Sequence, residues 1–408
     1  IMREFGKECF DHVAEFNFDK VGELNSIFEK TKDVDRILKE LALFTDVPIE
    51  AGKTLIIFDE IQASEGALNS LKYFCEDAPQ YHVIAAGSLL GVGIRKKNMS
   101  VPVGKVQIVK MLPVTFKEFL HEVDERTYLY INGLDTLDPL PEIILSKLEL
   151  EFKRYLICGG MPEAIVTLLE NKGIQEVEDV LQNILDLYTL DFSKYATSTE
   201  IPRINNLWNS LPSQLAKENR KFIYRIVRSG ARAREYEDAL LWLEEAGLIY
   251  RIFNISKPGL PLSAYQDVSA FKVYACDCGL LRRLAKLSPE IILSGNAGYT
   301  EFKGALAENA VLQSLVAQND VKPYYWSSEN RAEVDFVLQI QTDIIPVEIK
   351  SDVRISGKSL SVYNTKFNPP YRIRLSMNNL KENGRLISCP IPLTDWLYKI
   401  IGLALYNV

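Results

Sequence analysis

Leu55-Ile56-Ile57-Phe58 runs directly into Asp59-Glu60-Ile61-Gln62. Four large apolar residues in succession describe a strand buried on both faces, as happens inside a parallel sheet. Ligands of such sheets gather at the carboxyl ends of the strands. The strand therefore delivers two adjacent carboxylates to the place where a ligand sits. A nucleotide-hydrolysing site needs that pair: Asp59 to hold Mg²⁺, and Glu60 to polarise the attacking water. A buried strand ending in a solvated acidic turn would share the local pattern, so the flanking sequence has to decide between them.

The flanks alternate. Residues 1–12 read as the end of a helix and 13–18 as a strand. Residues 21–45 are helical by the period of Leu24, Ile27, Phe28, Val34, Ile37, Leu38 and Leu41. After the acid-ended strand comes a helix with Ala67, Leu68, Leu71 and Phe74 on one face. A second buried strand, 81–86, then ends in Gly87-Ser88. Strands alternating with helices imply right-handed crossovers and a parallel sheet. Ser88 then falls beside Asp59 and Glu60, where it would sense phosphate or water; a plain Gly-Ser turn is the alternative. Gly52-Lys53-Thr54 imitates a phosphate-binding loop without being one. Position 47 is Val where the pattern needs Gly, and the tripeptide precedes a strand instead of opening a helix.

Composition narrows the partners. Hydrophobic residues make up 47% and charged residues 25%, the profile of an ordinary globular chain. The 408 residues suggest two to four domains. A net charge of -7 means that any contact with nucleic acid needs a local basic patch. Six scattered cysteines and three histidines give neither a disulfide framework nor a zinc pattern, which fits a reducing cytoplasm. Cys276-Asp277-Cys278 reads as packed thiols. No apolar run approaches the ~20 residues of a membrane span, and no signal peptide is visible.

Farther along, 106–111 reads as a strand, 112–120 as a turn and helix, and 121–142 as a polar boundary. Residues 143–195 are mostly helical, broken at Gly159-Gly160-Met161-Pro162. Residues 201–285 read as helices followed by a two-stranded ribbon, the outline of a winged helix. Beyond 286 the expected elements are a helix at 304–318, strands at 323–326, 333–340 and 344–350, and a final helix at 393–404.

Asp59-Glu60-Ile61-Gln62, Gly87-Ser88, Leu112-Pro113 with Phe116, Glu118, Phe119 and Leu120, and Gly159-Gly160-Met161-Pro162 occur here in one order. As a set they resemble a prokaryotic family of AAA-type P-loop ATPases whose core is followed by a domain of unknown function. The resemblance spans nearly the whole chain. It implies that Asp59-Glu60 is the Walker B pair and Ser88 sensor 1. It also implies that Gly160 and Pro162 lie in a lid motif that meets the nucleotide, with Pro162 against the adenine. ATP and Mg²⁺ are the implied ligands. Arg95 is the candidate arginine finger. In the family the phosphate-binding loop precedes a helix resembling residues 1–7. This chain is thus expected to begin just after that loop and, as it stands, to bind nucleotide poorly.

The C-terminal part carries a second constellation. Glu348 and Lys350 are two apart on a strand and point to one face. Asp335 lies on the preceding strand, and Glu308 on a helix that would cap the same face. Converging acids and a lysine can hold a metal through Asp335 and Glu348 and activate water for phosphodiester cleavage. The pattern resembles the PD-(D/E)xK restriction-endonuclease-like fold; a salt-bridged sheet face is the alternative. Lys217, Arg220, Lys221, Arg225, Arg228, Arg232 and Arg234 form a basic cluster that would neutralise DNA phosphates. The acids of the following helix argue against ordinary major-groove reading.

The expected architecture is α/β. It comprises a P-loop NTPase-type parallel sheet core lacking its first strand and P-loop (1–125), a helical lid (126–198), a winged-helix-like module (199–285) and a nuclease-like domain (286–408). The expected function is that of an AAA-type ATPase acting as a nucleotide-driven switch for a C-terminal nuclease-like or DNA-binding domain. The alternatives are a metal-dependent endonuclease, or a non-enzymatic adaptor for DNA or a partner protein.

Overall fold

The computed structural model describes residues 1–87, 102–170, 172–217, 221–294, 300–318, 322–328, 332–350 and 358–406. They form two compact units, Ile1–Met111 and Leu112–Val408.

The first unit is built on a three-stranded parallel sheet in the order β1-β2-β3: β1 His12–Asn17, β2 Thr54–Asp59 and β3 His82–Ala85. All residues of β2 up to Phe58 are buried, each large apolar side chain contributing about 1.5–3 kcal/mol. Phe58 is ringed edge-on by Phe16, Phe18, Phe28 and Phe74, with ring centroids 5.5–6.3 Å away. The helical pattern over 21–45 resolves into two helices, Glu23–Lys30 and Val34–Leu41, because Asp33 caps the second. Its carboxylate accepts from the amides of Asp35 and Arg36, satisfying donors that would interrupt a continuous helix. Helix Glu65–Asp77 follows β2 and is capped by Ser64. The strand expected at 106–111 is absent: this stretch is coil, and Ile108, Val109 and Met111 are exposed. Its backbone has no ladder partner among the described residues, and apolar alternation alone does not make a strand.

The second unit carries an eight-stranded sheet in the order β10-β11-β9-β8-β7-β6-β4-β5. Its strands are β4 Ile249–Ile255, β5 Gln266–Ala275, β6 Tyr324–Ser328, β7 Ala332–Ile340, β8 Asp343–Ile349, β9 Arg372–Ser376, β10 Lys381–Asn383 and β11 Leu386–Pro390. β4 and β5 form the expected antiparallel ribbon. β4 also pairs with β6 through Asn254 and Tyr325, so the ribbon continues the larger sheet. Helix Thr300–Gln318 precedes the β6–β7–β8 meander. Helix Lys358–Phe367 then returns the chain to β9, parallel to β8. The break at 159–162 separates helices Glu142–Cys158 and Pro162–Leu169. The polar stretch 121–142 is tied into this unit, since Leu140 and Asn379 exchange two hydrogen bonds of 2.8 and 2.9 Å. The final helix is Leu397–Tyr406, entered through a 3-10 turn over Ile391–Trp396.

Candidate functional site

Parallel pairing in register brings the strand ends together: Asn17 lies opposite Asp59 across β1 and β2. The Asn17 amide donates to Oδ2 of Asp59 at 2.7 Å. Its carbonyl oxygen is held in turn by the amides of Asp19 and Lys20 at 3.1 and 2.8 Å. The turn after β1 therefore orients the amide, and the amide orients the carboxylate. Asp59 is half-buried, and Oδ1 has no hydrogen bond to the described residues. One oxygen fixed and one available suits a carboxylate that meets Mg²⁺, which binds through one or two carboxylates and the substrate phosphates.

Glu60 leaves the strand in the left-handed region, with φ 52° and ψ 42°. A non-glycine residue there is strained by about 1–3 kcal/mol. The backbone is held on either side: the Ile61 amide donates to the Ala86 carbonyl at 3.0 Å, and the Ala86 amide donates to the Phe58 carbonyl at 2.8 Å. The Gln62 amide donates to the Glu60 carboxylate. Nearby, Arg3 holds Glu15 in a bidentate pair and depresses its carboxyl below the usual range. Ser88 and Arg95 lie outside the described residues. Gly52 and Lys53 lie in the turn before β2 and Thr54 opens the strand, so the tripeptide runs into a strand and not a helix. Thr54 is buried with its hydroxyl on the Pro48 carbonyl, and Lys53 pairs with Glu50.

In the second unit, Gly160 and Pro162 have different surroundings. Pro162 is exposed at the first position of its helix. Gly160 is buried, and its amide donates to Oδ2 of Asp277 at 2.6 Å. A Cβ on Gly160 would collide with the Val114 carbonyl; one on Gly159, whose φ is 68°, would collide with Asp277. Asp277 is fully buried. It also caps helix Cys278–Leu284 through the Leu280 amide at 2.8 Å and accepts from Nε2 of Gln313 at 3.0 Å. Gln313 donates to the Tyr155 hydroxyl at 2.9 Å, and that hydroxyl donates to the Val114 carbonyl at 2.6 Å. Gly159-Gly160 and Cys276-Asp277-Cys278 thus converge on one buried carboxylate, to which Val114, next after Leu112-Pro113, is joined through Tyr155 and Gln313. Burial pushes its pKa up against these hydrogen bonds. The flanking thiols are buried and free, raised by the same desolvation. The sequence reading recognised the thiols and missed the aspartate. It also missed Asp395, which accepts from the Lys117 amide at 2.8 Å and is pushed by burial to about 6.

The C-terminal acids are distributed differently from the expected metal cluster. Asp335 is 8% exposed and accepts from the Ile349 amide at 2.7 Å. Glu348 is 1% exposed, 3.2 Å from Nζ of Lys350 and 3.7 Å from Nε of Arg374. Burial raises its pKa against the two cations, and Asp335 adds to the rise. Glu308, 2% exposed, accepts from the Tyr274 hydroxyl at 3.0 Å. Among the described residues no group of three or more His, Cys, Asp or Glu is disposed to hold a metal.

The helix after the basic cluster, Ala233–Glu245, spends part of its acidity internally. Glu237 and Glu244 both bind Arg251 at 2.7 Å, and Glu244 also binds Lys322 at 2.9 Å. Lys217 is turned onto Gln214 at 3.0 Å. Arg225, Arg228, Arg232 and Arg234 are exposed; Arg220 lies outside the described residues.

The first unit thus sets two carboxylates at the end of a buried parallel strand, with a neutral amide orienting the first. Residues 1–120 match the AAA domain family, supporting an ATPase-like, nucleotide-binding character for this part. That match runs past Met111 into residues that fold with the second unit. Residues 149–291 and 303–394 match two domains of unknown function, DUF8612 and DUF4143. No curated protein matches the chain. Among solved structures, the Walker-type ATPase PABY2304 of Pyrococcus abyssi is similar at a TM-score of 0.40 and 14% identity, over 70% of this chain and 93% of that one. A likeness that distant bears on neither fold nor activity. No helix among the described residues is long and apolar enough to cross a membrane.

Proposed function

We propose that this is an AAA-type ATPase in which the state of the nucleotide governs the C-terminal half. The observation that carries the reading is the register that aligns Asn17 with Asp59 at the carboxyl edge of the sheet. Asp59 would hold Mg²⁺ through its available oxygen. Bound there, the ion neutralises phosphate charge. Glu60 is the base that orients and polarises the attacking water, and Ser88 senses the terminal phosphate. Gly160 and Pro162 belong to the proposed lid. The Gly160 amide already serves Asp277, while Pro162 is exposed. In this reading the core extends to 125, the lid to 198 and the winged-helix-like module to 285. The test is ATP binding by the full-length protein with and without Mg²⁺. Asp59→Asn should abolish the gain that Mg²⁺ gives and leave metal-free binding unchanged. Equal Mg²⁺ dependence in both proteins would refute the role of Asp59.

A second reading has specific support. Helix, three-strand meander, helix and parallel fourth strand are the order of a nuclease-like core, and Asp335 and Glu348 lie on its central strands. Against cleavage stand the cations that already neutralise Glu348. Metal-dependent cutting of DNA, lost in Asp335→Ala, would establish the nuclease. Binding without cutting would leave the domain a scaffold.

A further inference from the structure

A cavity of about 450 Å³ lies in the second unit, between helix Ile201–Leu215 and the turn that precedes helix Ala233–Glu245. Its lining is mainly polar: Thr199, Arg203, Asn206, Arg228, Ser229 and Glu235 bear the donors and charges. The helix places two of these for a simple reason. Ile204, Leu207, Trp208, Leu211 and Leu215 face the core, which leaves Arg203 and Asn206, three apart, side by side on the opposite face. The other wall is set by the turn. Arg228 ends the short helix Tyr224–Val227, and its carbonyl accepts from the Ala231 amide at 3.0 Å. Gly230, at φ 79°, lets the chain double back.

We infer that this cleft binds the phosphodiester backbone of a nucleic acid, with Arg203 and Arg228 as the phosphate ligands. The inference names a partner chemistry for the C-terminal half and rests on the proposed reading that this half is what the nucleotide state governs. Three observations support it. Neither guanidinium has an ion-pair partner among the described residues, although the chain carries an excess of acids. Exposed arginines gathered around a concave site raise the local potential and attract polyanions. The acids that would cancel this field are partly committed elsewhere, Glu237 and Glu244 to Arg251 and Lys322. The cations also continue beyond the cleft, through Arg225, Arg232 and Arg234, all exposed. A free nucleotide would fill the cavity and leave those three unused; a strand of successive phosphates engages them. Glu235 is the one carboxylate in the lining, and its charge opposes the ligand.

The experiment is fluorescence anisotropy with a labelled short DNA duplex, across a range of salt concentrations and without ATP. Its outcome is therefore independent of hydrolysis at Asp59 and Glu60. Arg203→Ala/Arg228→Ala should weaken binding about tenfold or more and lower the slope of log K against log salt by about two. Lys32→Ala/Lys39→Ala removes the same charge from the first unit and should leave affinity unchanged. Glu235→Gln should tighten binding, an opposite sign that loss of fold cannot produce. The inference is overturned if the arginine pair can be removed without loss, if the lysine control loses as much, if Glu235→Gln fails to tighten binding, or if the cleft takes ATP and no DNA.

Discussion

β2 and β8 are both buried strands that deliver acids near their carboxyl ends, and they treat those acids in opposite ways. Asp59 is half-buried and steadied by a neutral amide. Glu348 is sealed within the sheet between Lys350 and Arg374. A carboxylate held by an amide keeps its charge for an incoming cation. One held by a lysine and an arginine has been neutralised already, and a metal would have to displace them. The same strand-plus-acid pattern therefore supports a catalytic assignment at β2 more strongly than at β8.

The contrast can be broken from either end. Lys350→Ala/Arg374→Ala leaves Glu348 buried without a cation and should cost about 3–5 kcal/mol, measured by urea denaturation. A loss below about 1 kcal/mol would mean that Glu348 reaches water, and the distinction from Asp59 would fail. Asp277→Ala orphans the Gly160 and Leu280 amides and one N–H of Gln313 in the interior, at a cost of about 3 kcal/mol. Asp395 has a smaller effect with a definite sign. Its folded pKa of about 6 lies above the unfolded value, so the folded state takes up the proton first. Stability from this group rises as pH falls from 7 to 5, by roughly 1 kcal/mol, and Asp395→Asn removes that rise. Asp59→Asn keeps an amide partner for Asn17 and should change stability by less than about 0.5 kcal/mol, while removing the response of ATP binding to Mg²⁺.

These sites were legible in proportion to how local their causes are. β2 announces itself because burial on both faces demands four consecutive apolar side chains. Asn17 drew no attention inside the strand expected at 13–18, since nothing in a single polar residue tells which position of another strand it will face; the register supplies that. Asp277 looked like a spacer between two thiols because its partners Gly160 and Gln313 are 117 and 36 residues away. The helices broke where the capping chemistry allowed, at Asp33 and at Gly159-Gly160. Residues 106–111 have the apolar content of a strand and find no neighbouring edge among the described residues. The acids of 235–245 argue in the sequence against major-groove reading, and only the structure shows two of them, Glu237 and Glu244, paired with Arg251.

The most direct test of the account is Mg²⁺-dependent ATP turnover by the full-length protein beside Glu60→Gln, with melting followed on both. Turnover should fall by at least about a hundredfold while ATP binding and melting stay as they were. Undiminished turnover in Glu60→Gln would contradict it.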